Sequence, residues 1–193
     1  CRIARQLLHP KREEETELGN LLTDIIAEQD PLSDVVFVGS GSIRGTELGP
    51  LVTLSDLKKV YPYDGPLFRV KLTGAQLKMI FSHFMKPENR VPGESNYFQV
   101  NKAVQAVYND TNKQLESLSV KGEPVQDDAQ YTLCLQEYHY KNSVQSLNMT
   151  MEELTQLGEA KVISTSSQDV LEEYFCSHQN MNSYVEGRLV YKS

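Results

Sequence analysis

The sequence predicts a layered α+β domain, and three observations carry the prediction. Leucines and isoleucines recur at helical spacing between residues 18 and 27, an apolar run at residues 35–38 empties into a glycine–serine turn, and alternating segments between residues 97 and 136 are separated by polar turns. With 193 residues, 39% of them hydrophobic, the chain can bury a sizeable core, and no repeat or linker divides it, so residues 1–193 are expected to form one domain.

Taken in order, Leu18, Leu21, Leu22, Ile25 and Ile26 form one face of a helix through Ala27, preceded by a charged run over residues 11–15 whose acidic groups suit a helix N-terminus. Pro31, Leu32 and Ser33 stop that helix, and Val35, Val36, Phe37 and Val38 read as a strand buried on both faces. Thr53 caps a brief helix through Asp56 to Val60, and YPYDGP at residues 61–66 is a turn. Phe68, Val70 and Leu72 alternate as a strand, after which Thr73 and Gln76 form a capping box for a helix through Leu77, Ile80, Phe81 and Phe84. Residues 86–96 carry two prolines and few apolar groups and read as a surface excursion. Residues 97–108, 115–120 and 131–136 read as strands, with a turn at 121–124. Polar loops follow, then a weak helix near 151–157, a short strand at Val162, a helix over 169–175 and a closing strand over 188–191.

Composition narrows the function. Nineteen Lys and Arg stand against 26 Asp and Glu, a formal charge of −7 with scattered positives, so nucleic acid is not an expected partner. No window resembles a signal peptide or a membrane span, yet the chain opens at Cys1 rather than Met, so the natural gene product is expected to be longer. Cys1, Cys134 and Cys176 show no CxxC spacing, which argues against a zinc knuckle or a dense disulfide framework and leaves a single disulfide open. Two N-x-[ST] triplets, at Asn109 and Asn148, lie in polar sequence and point to a secreted, glycosylated parent.

The segment DVVFVGSGSIRG, residues 34–45, is the strongest candidate site. Gly39, Ser40, Gly41 and Ser42 let backbone N–H groups and hydroxyls approach a ligand, and Arg44 can fork hydrogen bonds onto an anion. It is not a dinucleotide fingerprint, since Arg44 takes the place of the third glycine, and it is not a Walker loop, since no Gly-Lys-Ser/Thr follows. Tyr63, in a proline-flanked turn, can wall a stacking slot, with Tyr138 or Tyr140 supplying the other wall. Arg12, on spacing alone, belongs to a solvated charge run. His9, His83, His139 and His178 form no metal-ligand pattern and no GxSxG elbow is present, so neither a metal nor a catalytic nucleophile is expected in this chain.

The order of segments resembles the C-terminal, substrate-binding domain of the 5'-nucleotidase family. The likeness runs from KREEETELGNLLTDIIA through FVGSGSIRG, VTLSDLKKVYPYDGPLFRVKLTGAQLK and YFQVNKAVQAVYND to EGRLVY. It implies a mixed β-sheet with flanking helices and a nucleotide or nucleoside-like ligand. Arg12, ahead of Gly19, Asn20 and Leu21, and Arg44, closing the family's Asn-Gly-Gly-Gly-Ile-Arg, would hold the ribose or phosphate end, with Gly41 in the same loop. Tyr63 and Tyr138 take the places of the two base-stacking phenylalanines. Gly39 stands where the family has asparagine, and residues 142–146 replace its Gly-Gly-Asp-Gly segment. The resemblance also implies an N-terminal metallophosphoesterase domain, absent from this chain, whose two divalent metals would carry the hydrolysis. This chain alone is then expected to be inactive. The altered motifs support an alternative, a noncatalytic secreted protein-binding domain descended from a nucleotidase.

Overall fold

The computed structural model describes residues 1–93 and 96–193. In chain order the elements are β1 (Leu7–Leu8), α1 (Glu17–Gln29), β2 (Val35–Gly39), β3 (Glu47–Leu48), α2 (Leu54–Val60), β4 (Leu67–Thr73), α3 (Gly74–Met85), β5 (Phe98–Val100), β6 (Val104–Asn109), β7 (Gln114–Val120), β8 (Glu123–Pro124), β9 (Gln130–Gln136), α4 (Glu137–Lys141), α5 (Ser143–Leu147), α6 (Met151–Leu154), β10 (Lys161–Ser164), α7 (Ser167–Ser177) and β11 (Leu189–Lys192). Short 3-10 turns follow β2 at Ser40–Ser42 and α3 at Pro87–Asn89.

A five-stranded mixed sheet, ordered β10-β4-β9-β2-β5, forms the centre. β2 and β9 run parallel, and the remaining neighbours are antiparallel. A second mixed sheet, β11-β6-β7-β8, pairs β11 parallel to β6, and β1 with β3 makes a small ribbon. The fold is thus the layered α+β arrangement with a mixed sheet and flanking helices that the sequence implied.

β2 explains why the layers form. All five of its residues are buried, and the two-residue period of a strand sends Val35 and Phe37 to one face and Val36 and Val38 to the other. On the first face they join α3, the second sheet and Leu133 and Leu135 of β9, with Phe37 stacked on Phe98 at 4.6 Å and edge-on to Phe81 and Phe84. On the second they meet Leu18, Leu22, Ile25 and Ile26 of α1, together with Leu171 and Phe175 of α7.

The caps follow the sequence. Thr16 accepts a hydrogen bond from the Gly19 N–H to start α1, and Thr53–Asp56 and Thr73–Gln76 form capping boxes on α2 and α3. Thr150–Glu153 forms a third on α6. The C-terminal strand is tied back by charge: Arg188, almost fully buried, donates to both oxygens of Asp24 at 2.9 and 2.7 Å and to the Val100 carbonyl at 2.8 Å.

Several expectations are revised. The run over residues 97–108 breaks into β5 and β6, because residues 101–103 turn the chain from the central sheet into the second one. The segment after β9 is helical, α4 and α5, rather than loop. The excursion over residues 86–96 includes Glu94 and Ser95, which lie outside the described residues. The part before them is anchored, since Arg90 pairs with Asp110, donates to the Met85 carbonyl at 3.0 Å and sits 3.8 Å over the Tyr191 ring. Cys1, Cys134 and Cys176 are all free thiols. Asn148 is exposed, whereas Asn109 is half-buried and donates to Glu116 at 2.8 Å.

Packing at the glycines and the buried histidines can be tested directly. A Cβ on Gly74 would lie 1.8 Å from the backbone oxygen of Gln126, whereas one on Gly122, at φ +81°, would meet no atom within 4 Å. Gly74→Ala should therefore cost about 3 kcal/mol in denaturant unfolding, and Gly122→Ala about 1 kcal/mol, from its left-handed backbone alone. Secondly, His9 and His139 are buried, and desolvation pushes each pKa down from 6.5 to about 4. The unfolded chain takes up these protons first, so the stability they contribute is complete above about pH 6.5 and lost as pH falls toward about 4, by at most about 3 kcal/mol per ring. Unfolding free energies measured across that interval should fall with acidification, and His9→Gln should flatten the slope.

Candidate functional site

Strand direction assembles one cleft. Because β2 and β9 are parallel, their carboxyl ends, Gly39 and Gln136, emerge at the same edge of the sheet. β4 runs antiparallel to β9 with Leu67 opposite Gln136, and β10 antiparallel to β4 with Ser164 opposite Leu67. The turn before β4 and the start of α7 therefore reach that edge too. Between them lies a cleft of about 460 Å³, lined by Gly41, Ser42 and Arg44 after β2, Tyr63 to Pro66 before β4, residues 136–139, 141 and 142 after β9, and Ser167 of α7. Its position beyond the carboxyl ends of parallel strands, and its volume, are those of a small-molecule site.

The loop after β2 is held from behind. The Gly39 N–H donates to Gln136 Oε1 at 2.8 Å, the Ser40 N–H to the Tyr97 carbonyl at 2.8 Å, and the Arg44 N–H to the Val60 carbonyl at 2.7 Å. Gln99 Nε2 donates to Ser40 Oγ at 3.0 Å, and His9 Nε2 lies 3.2 Å from the Ser40 carbonyl oxygen. The backbone is pinned while the Arg44 side chain stays exposed, its guanidinium 5.2 Å from the centre of the Tyr63 ring. Among the described residues Arg44 has no ion pair and no side-chain hydrogen bond. The other charges of the lining are engaged. Lys141 pairs with Glu137 at 3.2 Å, and Asp64 accepts from Ser166 Oγ and the Gln168 N–H at the start of α7. Partial burial works to raise the Asp64 pKa, but those hydrogen bonds outweigh it and hold the carboxyl below its ordinary range. Arg44 is left as the cation free to meet an anion.

Gln136 fastens the floor. Its Nε2 donates to the Tyr61 hydroxyl at 2.6 Å, the Tyr61 hydroxyl donates to Ser167 Oγ at 3.1 Å, and its Oε1 accepts from Gly39. Burial pushes the Tyr61 pKa up to about 12, so this relay stays neutral. Beside it, His139 is 3% exposed, its Nδ1 lies 3.1 Å from Ser146 Oγ, and its Nε2 has no hydrogen-bond partner among the described residues. A buried polar atom left unpaired costs about 1–3 kcal/mol.

Of the residues singled out in the sequence, the structure places Gly41, Arg44, Tyr63 and Tyr138 on this cleft, with the two tyrosines 51% and 63% exposed and so open to a ligand. Arg12 is not on its lining. It is half-buried beside His9, whose pKa its charge helps to lower. Tyr140, the other candidate for a second wall, instead stacks on Phe68 at 4.6 Å. Sequence reasoning missed Gln136, His139, Lys141 and Asn142. The available signal was position, since all four flank Tyr138 at the end of a strand. Among the described residues no group of three or more His, Cys, Asp or Glu is placed to hold a metal ion. What the arrangement offers is recognition: an aromatic surface for a planar ring, a free guanidinium for an anion, and a rigid floor.

The chain matches the family model for the 5'-nucleotidase C-terminal domain over residues 4–152. A comparison of the sequence with curated proteins gave no match. Solved structures with the same fold include a 5'-nucleotidase precursor from Thermus thermophilus (17% identity, TM-score 0.81, covering 99% of this chain and 39% of that one). They also include the NAD nucleotidase NadN of Haemophilus influenzae (12% identity, TM-score 0.76, 100% and 38%). The sulfate thiohydrolase SoxB of Thermus thermophilus, in complex with glycerol, is a third (18% identity, TM-score 0.71, 98% and 34%). This chain thus spans between about a third and two fifths of the length of those chains. At such identities the structures establish the fold, while the family match covers well over half of the sequence. The chain belongs to the 5'-nucleotidase C-terminal domain family.

Proposed function

We propose that this chain is the substrate-binding domain of a secreted 5'-nucleotidase-like phosphohydrolase and that the cleft holds a nucleotide. The observation that carries the reading is the junction of an unpaired Arg44 guanidinium with the exposed rings of Tyr63 and Tyr138 on one concave surface. A base is planar and stacks on either ring, and the phosphate or ribose end meets Arg44. Arg12, near His9 and off the cleft lining, adds positive potential rather than a direct contact.

Hydrolysis itself would fall to a metallophosphoesterase domain of a longer protein, whose two divalent metals would supply an activated water. The residues of this chain bind, orient and partly desolvate the substrate. Glycosylation is supported by the exposed Asn148 triplet, and export by that triplet and by the likeness to a 5'-nucleotidase precursor. A second reading, a noncatalytic protein-binding domain, draws on Gly39, which has no side chain to offer, and on α5, which takes up the residues replacing the family's Gly-Gly-Asp-Gly.

Titration calorimetry of this chain with nucleoside monophosphates, and with the matching nucleosides, separates the two. Saturable binding is expected, with Tyr63→Ala and Tyr138→Ala each weakening it about tenfold or more, the size of one lost base stack. Arg44→Ala should weaken monophosphates more than nucleosides. A folded chain that binds none of these compounds overturns the nucleotide reading and favours the protein-binding one.

A further inference from the structure

His139 carries an unexplained hydrogen-bonding atom at the inner end of the cleft. The imidazole is 3% exposed, stands edge-on to Phe98 at 4.7 Å and lies perpendicular to Tyr138 at 5.2 Å. Nδ1 lies 3.1 Å from Ser146 Oγ, and Nε2 is buried without a partner among the described residues. The Ser146 hydroxyl, also buried, has no other side-chain partner among the described residues, which decides the tautomer. If Nδ1 carried the proton, both the serine hydroxyl hydrogen and Nε2 would go unsatisfied. If the serine donates to Nδ1, a single donor is left over, and it is Nε2–H.

Gly39 fits the same picture. A Cβ there would lie 2.2 Å from His139 Nε2 and 2.8 Å from Cε1, so the imidazole fills the space that any larger residue would need at the end of β2. The polar group at this spot is supplied from α4, not from β2. Burial also keeps the imidazole neutral, its pKa near 4, so it does not compete with Arg44 for the anionic end of a ligand.

We propose that His139 is the specificity-determining residue of the cleft, donating a hydrogen bond from Nε2 to a ring acceptor, a carbonyl oxygen or an imine nitrogen, on the edge of a heteroaromatic base held against Tyr138. Nε2 faces Gly39 rather than solvent, so donation to a ligand requires the imidazole to turn off Gly39 into the cleft it already lines. The inference rests on the reading of this cleft as a nucleotide site and adds to it the group that tells a base from a plain aromatic ring.

The test is calorimetry of wild type, His139→Leu and His139→Gln with adenosine 5'-monophosphate, inosine 5'-monophosphate and phenyl phosphate, whose ring has no acceptor. His139→Leu should weaken both nucleotides about tenfold, the size of one neutral hydrogen bond, and leave phenyl phosphate within about twofold. His139→Gln, which keeps a donor at similar reach, should recover most of the loss. Nitrogen-15 NMR of the wild-type imidazole gives an independent readout that needs no variant to fold. It should show the proton on Nε2 and a shift of that nitrogen with the nucleotides but not with phenyl phosphate. Nucleotide affinity unchanged in a folded His139→Leu, while Tyr63→Ala loses binding, would overturn this inference and leave the cleft reading standing. A proton found on Nδ1 would do the same. Wild type binding neither nucleotide would bring down both.

Discussion

The parallel pairing of β2 with β9 is the constraint on which the site depends. Two parallel neighbours must end at the same edge, so the loop after Gly39 and the helix after Gln136 face one another across a few residues of sheet. Reversing either strand would carry Arg44 and Tyr138 to opposite ends of the molecule. The antiparallel placement of β4 and β10 then brings the Tyr63 turn and the start of α7 to the same rim. No single one of these segments is a site by itself, and the cleft exists because four connections are gathered at one end of the sheet.

Rigidity comes from burial on both sides. β2 presents apolar side chains to two separate clusters, so shifting its register would drive Val35 and Phe37 out of one and Val36 and Val38 out of the other at once. That immobile strand is why a loop of small residues holds its shape, helped by the Gln136, Gln99 and Val60 contacts behind it. Among the described residues two buried side-chain atoms are left without a partner, Asn20 Oδ1 and His139 Nε2, and of the two only His139 lines the cleft.

Relatives that share the fold carry different activities in their names, among them a 5'-nucleotidase precursor, an NAD nucleotidase and a sulfate thiohydrolase. A fold common to such a range does not choose a ligand, and what sets this chain apart lies in the side chains on the rim. In this chain Gly39 and α5 both meet His139, the first against Nε2 and the second through Ser146.

The sequence by itself determined the elements whose signals are local. The stripe of Leu18, Leu22, Ile25 and Ile26, the apolar run of β2 and the capping residues Thr53 and Thr73 act over a few residues, and each has the same meaning wherever it occurs. The family was legible in the order of segments, and three residues singled out with it, Arg44, Tyr63 and Tyr138, line the cleft. Only the tertiary structure decided that Tyr140 turns away onto Phe68 while Tyr138 faces the cleft, that Arg12 stays off the cleft lining, and that Gly39 is matched to His139, a hundred residues away in the chain. Those outcomes are fixed by which strands become neighbours and in which direction. That choice is made by long-range burial of apolar faces, and no short stretch of sequence encodes it.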